Sequence, residues 1–139
     1  MSVLVSHAGS QYVVLASCTH ATRPGKIPFA DQSFDTVLLN DVLHHVENCE
    51  ILLGEAKRVA KRQILVFEDQ ASWITRLIDV VFNYVYAAQM PCPLKFKTRQ
   101  EWMDLFAHMG LRATVLAVSR PVWWPITHLS FQLQDCLDV

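Results

Sequence analysis

Glycine is scarce in this chain: four in 139 residues, Gly9, Gly25, Gly54 and Gly110, with no two near each other. A G-x-G-x-G turn, where a backbone without Cβ atoms approaches a phosphate or nucleotide closely, is therefore absent. The four cysteines, Cys18, Cys49, Cys92 and Cys136, form no C-x-x-C pair, which argues against a zinc site. The first residues carry no basic stretch followed by a long apolar one, so no secretory signal is read. Reduced thiols in a cytoplasmic protein are the corresponding expectation. No apolar run reaches the length of a membrane span. Net charge is −1 without a basic stripe, so nucleic acid is not indicated as a partner.

Apolar residues, by contrast, are plentiful. They make up 52% of the chain against 18% charged, enough to fill a core and too many for disorder. Length alone argues for one domain. The balance is slightly apolar for a monomer, which points to a covered surface. Residues 1–25 are a segment of uncertain structure: Val3–Val5 and Tyr12–Ala16 are apolar and β-branched, with a turn-prone His7-Ala8-Gly9-Ser10 between them.

Residues 26–139 read as an α/β domain organised around Lys26–Gln70. Phe34–Leu39 is a short β-rich run with no polar alternation after Asp35, as expected of a strand covered on both faces. Asn40 and Asp41 stand where it ends. In open α/β sheets ligands bind outside the carboxyl ends of strands, which makes these two residues site candidates. Asn48 suits an N-cap and Glu50 the first turn of a helix. Leu52, Leu53, Ala56, Val59 and Ala60 share one face of it, and Lys57, Arg58, Lys61 and Arg62 crowd its last turns. Ile64–Phe67 is the next buried strand, with Glu68 and Asp69 at its end. Strand, helix and strand should form a parallel crossover unit.

Further on, residues 71–89 predict a long helix with Ser72 as N-cap. Trp73, Leu77, Val81 and Val85 form its stripe, which is expected to pack on the sheet. Pro91 and Pro93 end it. Thr98-Arg99-Gln100-Glu101 is a capping box. Trp102, Leu105, Phe106 and Met109 give that helix its buried face, and Gly110 stops it. Arg112–Ser119 and Ile126–Gln134 read as strands flanking a rigid loop with Trp123 and Trp124. The tail from Asp135 is expected to fray.

The stretch I-P-F-A-D-Q-S-F-D-T-V-L-L-N-D-V-L-H-H-V, then L-L-G-E-A-K-R-V-A-K-R, I-L-V-F-E-D and F-K-T-R-Q-E-W-M-D-L-F-A-H-M-G-L, resembles the class I S-adenosylmethionine-dependent methyltransferases in that order. The resemblance covers about Lys26–Gln134. It implies a Rossmann-like class I methyltransferase fold with a C-terminal antiparallel strand pair, S-adenosylmethionine as cofactor, and an unidentified methyl acceptor, expected to be a small molecule. It also implies cofactor contacts by Phe29 and Asp31 near the adenine and by Asn40 and Asp41 near the methionine part. The family's glycine loop and its ribose-binding acid have no counterpart here, so the fold is expected to be N-terminally incomplete. A non-catalytic remnant acting by association is the alternative. Without the family's first strand, the apolar edge of Asp35–Leu39 invites pairing by Tyr12–Ala16 or by a second chain, giving a homo-oligomer through an exposed sheet edge.

Among candidate chemical residues, His44, Glu68 and Asp69 stand on the substrate side. Histidine suits a general base. Neighbouring His44 and His45 point in different directions on a helix and cannot serve one atom together, so packing for one and solvation for the other is the favoured reading. Asp31 and Asp35 read first as turn and capping residues.

Overall fold

The computed structural model describes residues 2–6, 16–17, 26–86, 95–120, 122 and 125–136. Tyr12–Leu15, Pro91, Pro93, the Trp123–Trp124 pair and the last three residues lie outside them, as do the side chains of Phe82 and Val85. In chain order the elements are β1 (Ser2–Ser6), β2 (Ala16–Ser17), β3 (Phe34–Asn40), a 3-10 turn (Leu43–His45), α1 (Cys49–Val59), β4 (Ala60–Asp69), α2 (Trp73–Tyr86), α3 (Arg99–His108), β5 (Leu111–Ser119) and β6 (His128–Asp135).

The strands form one sheet in the order β2-β1-β3-β4-β6-β5. β3 and β4 are parallel, with Val37 opposite Ile64 and Leu39 opposite Val66. β6 lies between β4 and β5 and is antiparallel to both. The expected parallel pair and C-terminal antiparallel pair are thus both present.

The edge of β3 is where the outcome departs from the reading. It is taken by β1, antiparallel, with Val3 opposite Leu39 and Val5 opposite Val37. The expectation there is Tyr12–Ala16. Val3–Val5 is as apolar and β-branched as that run and satisfies the same row of backbone groups. Of the Tyr12–Ala16 run, Ala16 is described, and with Ser17 it pairs on β1 instead. An open β3 edge therefore gives no ground for oligomerisation.

β3 and β4 bury alternate residues. Val37, Leu39, Ile64 and Val66 are fully covered, while Leu38 and Leu65 are half-covered. Burial on both faces, expected from the unbroken apolar run, is therefore complete on one face only. That face meets Leu53, Ala56 and Val59 of α1 and Trp102 and Phe106 of α3 in one core with Leu129, Phe131 and Leu133 of β6. Trp102 and Phe106 stack at 5.8 Å, and Phe106 meets Phe131 edge-on at 5.3 Å.

Helix ends follow local chemistry. The Asn48 side chain accepts from the N–H groups of Glu50 and Ile51, and Thr98 with Glu101 completes the capping box. Gly110 takes φ +68, the left-handed value that a C′ glycine accepts without strain. At the other end of α1 the reading needs correcting. Ala60 already has φ −79 and ψ 138 and opens β4, so Lys61 and Arg62 are exposed strand residues rather than helix-end charges. Pairing of Ala60 with Phe34 brings the chain straight from helix into sheet.

α2 departs further from expectation. Ser72 caps it through the N–H of Thr75, as read. The described members of its apolar stripe, however, are not packed on the sheet: Trp73 is 75% exposed, Leu77 54% and Val81 50%. The buried side chain in its first turn is Thr75, which donates to the Gln70 carbonyl. The sequence gathers Arg76, Asp79 and Asn83 on one face of this helix and its apolar residues on the other, but periodicity does not say what covers the apolar face.

Candidate active site at the carboxyl ends of β3 and β4

β3 and β4 run in the same direction, so their last residues gather at one edge: Asn40 and Asp41 from one, Glu68 and Asp69 from the other. The Asp41 N–H continues the ladder to the Phe67 carbonyl at 2.9 Å. Asp41 then turns the chain with φ 47, a left-handed value uncommon outside glycine but best tolerated by Asn and Asp. Val42, Leu43 and His44 follow, all buried.

Glu68 holds this turn. It occupies the same face of β4 as Ile64 and Val66 and is only 1% exposed. Its Oε1 accepts from the N–H groups of Val42 (2.9 Å) and Leu43 (2.7 Å), and its Oε2 lies 2.5 Å from His44 Nδ1. A carboxylate taken out of water is tolerable when several donors converge on it in this way. His44 is itself 3% exposed and stacks on Phe96 at 4.4 Å. His45 is half-buried with its ring 3.9 Å from that of His44. The rings are in contact although successive side chains on this 3-10 turn diverge by about 120°.

Around this clamp sit two half-buried carboxyls. Asp41 accepts from Asn40 Nδ2 at 3.1 Å. Burial pushes its pKa up to about 6, and the negative fields of Asp69 and Glu68 add to the shift. Asp69 pairs with His128 Nδ1 at 2.6 Å, across the β4–β6 ladder. Burial raises its pKa, against the pull of the two nearby imidazoles.

Not all predicted site residues meet here. Asn40, Asp41, His44, Glu68 and Asp69 do. Phe29 and Asp31 do not: they precede β3, and seven strand residues, about 23 Å of chain at ~3.3 Å per residue, separate its two ends. Phe29 packs edge-on against Phe34 at 4.8 Å. Asp31 pairs with Arg58 at 2.7 Å, whose guanidinium also binds the carbonyls of Ile27 and Phe29. A cleft of about 290 Å³ opens at that far end, lined by Asp31, Lys57, Arg58, Lys61, Arg62 and Asp135 among others. Asp31 is the one predicted site residue it includes.

Sequence reasoning missed Phe96 and the interior role of Glu68. The second was readable. Ile64, Val66 and Glu68 share one parity, and an acid on a buried strand face needs donors nearby. Among the described residues no cluster of His, Cys, Asp and Glu has the makings of a metal site, and no helix is long and apolar enough to cross a membrane.

Comparison with known proteins adds two findings. A family model described as a methyltransferase domain matches residues 5–67, a little under half the chain. Among solved structures, the YcgJ protein of Bacillus subtilis superposes with a TM-score of 0.54 at 15% identity, over 78% of this chain and 67% of that one. A methyltransferase of Thermotoga maritima, described as a possible histamine N-methyltransferase, gives 0.58 at 20% identity, over 78% and 59%. Magnesium protoporphyrin IX methyltransferase of Synechocystis, solved with S-adenosylhomocysteine, gives 0.54 at 12% identity, over 92% and 53%. The chain thus spans between about half and two thirds of these structures' own lengths. No curated protein matches it in sequence. With parallel β3 and β4, the antiparallel β5–β6 pair and this family-model match, the chain has the Rossmann-like α/β fold of the class I S-adenosylmethionine-dependent methyltransferases and resembles that family in sequence.

Proposed function

We propose that this chain is an S-adenosylmethionine-dependent methyltransferase domain and that the Asn40–His45 turn borders the cleft shared by cofactor and methyl acceptor. The observation that carries this reading is the gathering of Asn40, Asp41, Glu68 and Asp69 at the carboxyl edge of a parallel strand pair, the edge where such sheets bind ligands. The donor set suits the cationic end of the cofactor. Asp41 and Asp69 are half-buried carboxyls, Asp41 is mostly ionised at neutral pH, and Asn40 adds an amide oxygen. Phe29 and Asp31, at the far end of β3, have no comparable claim to the same ligand.

The bound cofactor would supply an electrophilic methyl group. What the protein supplies is placement, since an in-line displacement gains chiefly from holding two reactants in register. Asp41 and Asn40 would hold a cation, and the buried Val42–His44 turn would exclude water behind them. A small-molecule acceptor fits better than nucleic acid, because a carboxylate-lined edge repels a phosphate backbone.

A second reading, a non-catalytic methyltransferase-like domain acting by association, draws support from the absence of paired glycines in the sequence. Each charge-assisted hydrogen bond missing from the cofactor is worth about 1.5–3 kcal/mol, and two of them lower affinity at least about a hundredfold. The chain alone is therefore expected to bind S-adenosylhomocysteine with a dissociation constant of about 0.1 mM or weaker. Titration calorimetry checks this. Weak heat abolished in Asp41→Ala supports the methyltransferase reading; no heat at millimolar ligand favours the non-catalytic one. A micromolar constant would show that other residues replace the glycine loop.

A further inference from the structure

We propose that Glu68 is a positioning residue: its buried carboxylate sets the shape of the Asp41–His44 turn, and through it the placement of Asn40 and Asp41. The inference deepens the functional reading above and rests on it for the identity of the ligand, but not for the mechanics of the turn.

The argument begins with the backbone. Val42 and Leu43 are 0% and 1% exposed, so water cannot serve their N–H groups. Asp41 just before them is in the left-handed region, a conformation that persists only where the surroundings impose it. Both N–H groups donate to Glu68 Oε1, which reaches across from the neighbouring strand. The second oxygen faces His44 Nδ1 and so addresses the third residue of the same turn. One side chain therefore engages three successive residues after Asp41.

Stability is a poor explanation for such an arrangement. Buried polar and ionic groups are weak evidence for added stability, and their best-attested use is to fix one arrangement among several. Here the arrangement fixed is the exit from β3. Phe96, stacked on the His44 ring, and the Lys95 N–H, bonded to the His44 carbonyl at 3.0 Å, hold the far side of the turn. An ionised carboxylate at Glu68 can only accept, which would place a proton on His44 Nδ1.

Three chains decide the matter: wild type, Glu68→Gln and Glu68→Ala, labelled with ¹⁵N and followed by NMR. In Glu68→Ala the amides of Val42 and Leu43 should exchange at least about tenfold faster, relative to those of Val37 and Val66 in the strand centres. In Glu68→Gln one oxygen survives, so both amides should stay protected. The new side-chain amide now faces Nδ1 as a donor, and the His44 ring nitrogens should swap their protonated and unprotonated ¹⁵N shifts. Simple loss of packing would not produce that swap. Unchanged Val42 and Leu43 exchange in Glu68→Ala, or Nδ1 still protonated in Glu68→Gln, overturns the proposal.

S-adenosylhomocysteine is then titrated into each chain while the Asn40 and Asp41 amides are watched. Saturable shifts in wild type, at least about tenfold weaker in Glu68→Ala, are expected. Equal affinity in wild type and Glu68→Ala sinks the positioning role. No shift in wild type sinks the functional reading, while the exchange rates and ring shifts still decide whether Glu68 sets the turn.

Discussion

Asp41 combines a left-handed backbone, a half-buried carboxyl and two acidic neighbours, so its charged form sits in an unfavourable place. Its pKa rises from 3.8 to about 6 on folding. Between those values the folded chain holds the proton more tightly than the unfolded one, so stability falls as pH rises through that window and stays lower above it. Asp41→Asn removes the ionisation and keeps a side chain that tolerates positive φ. The variant should therefore be more stable than wild type at neutral pH, by about 1–2 kcal/mol once partial solvent screening is allowed for. The advantage should vanish below about pH 4, and thermal melts across that range check it. Such a gain is what strain kept for function would produce if Asp41 serves the proposed site. At this scale the sequence was informative about position but not about role. Asn40, Asp41, Glu68 and Asp69 were placed correctly by counting to the ends of two strands. The inward turn of Glu68 follows from its parity with Ile64 and Val66, but the meeting of Asp69 with His128 depends on register with β6, which a single strand's pattern does not contain.

At the level of elements, local rules succeeded wherever a side chain meets its own backbone. The Asn48 cap, the Thr98–Glu101 box and the Gly110 stop were all legible because their partners lie within a few residues. Thr98 matters beyond α3. It follows Phe96 by two residues, so the cap fixes the path of the segment that stacks on His44. Thr98→Ala should cost about 1 kcal/mol in denaturant unfolding, and Thr98→Ser should recover most of it. Where elements abut without a loop, as α1 and β4 do at Ala60, the boundary was misplaced. Lys61 and Arg62 suit a helix end by charge, but the ladder to β3 decides their conformation. Phe29 and Asp31 belong with this point. Similarity to a family motif assigned them to the cofactor, and six residues of β3, Phe34 to Leu39, lie between them and Asn40.

For the whole molecule, the buried layer is the face of β3, β4 and β6 covered by α1 and α3, and α2 stands apart from it. Leu53, Ala56 and Val59 anchor α1 in the core, whereas Trp73, Leu77, Val80, Val81 and Tyr84 of α2 are all half or more exposed. The sequence reading expected both helices to pack on the sheet, α2 through the longer apolar stripe, and only α1 does. Periodicity reports which residues could share a face; what covers that face is a property of the assembled fold. The same limit applied at the sheet edge, where two apolar runs competed for β3 and Val3–Val5 took it. A consequence follows for dynamics. Local opening is easiest where few apolar contacts must break, so protection against hydrogen exchange should be unequal between two helices of similar length. Backbone amides of Trp73–Tyr86 should exchange at least about tenfold faster than those of Cys49–Val59, by mass spectrometry of peptides from each helix. Comparable protection in the two helices would mean that α2 gains cover in solution. Repeating the measurement at several protein concentrations then separates cover by the same chain, which is independent of concentration, from cover by a second copy, which is not.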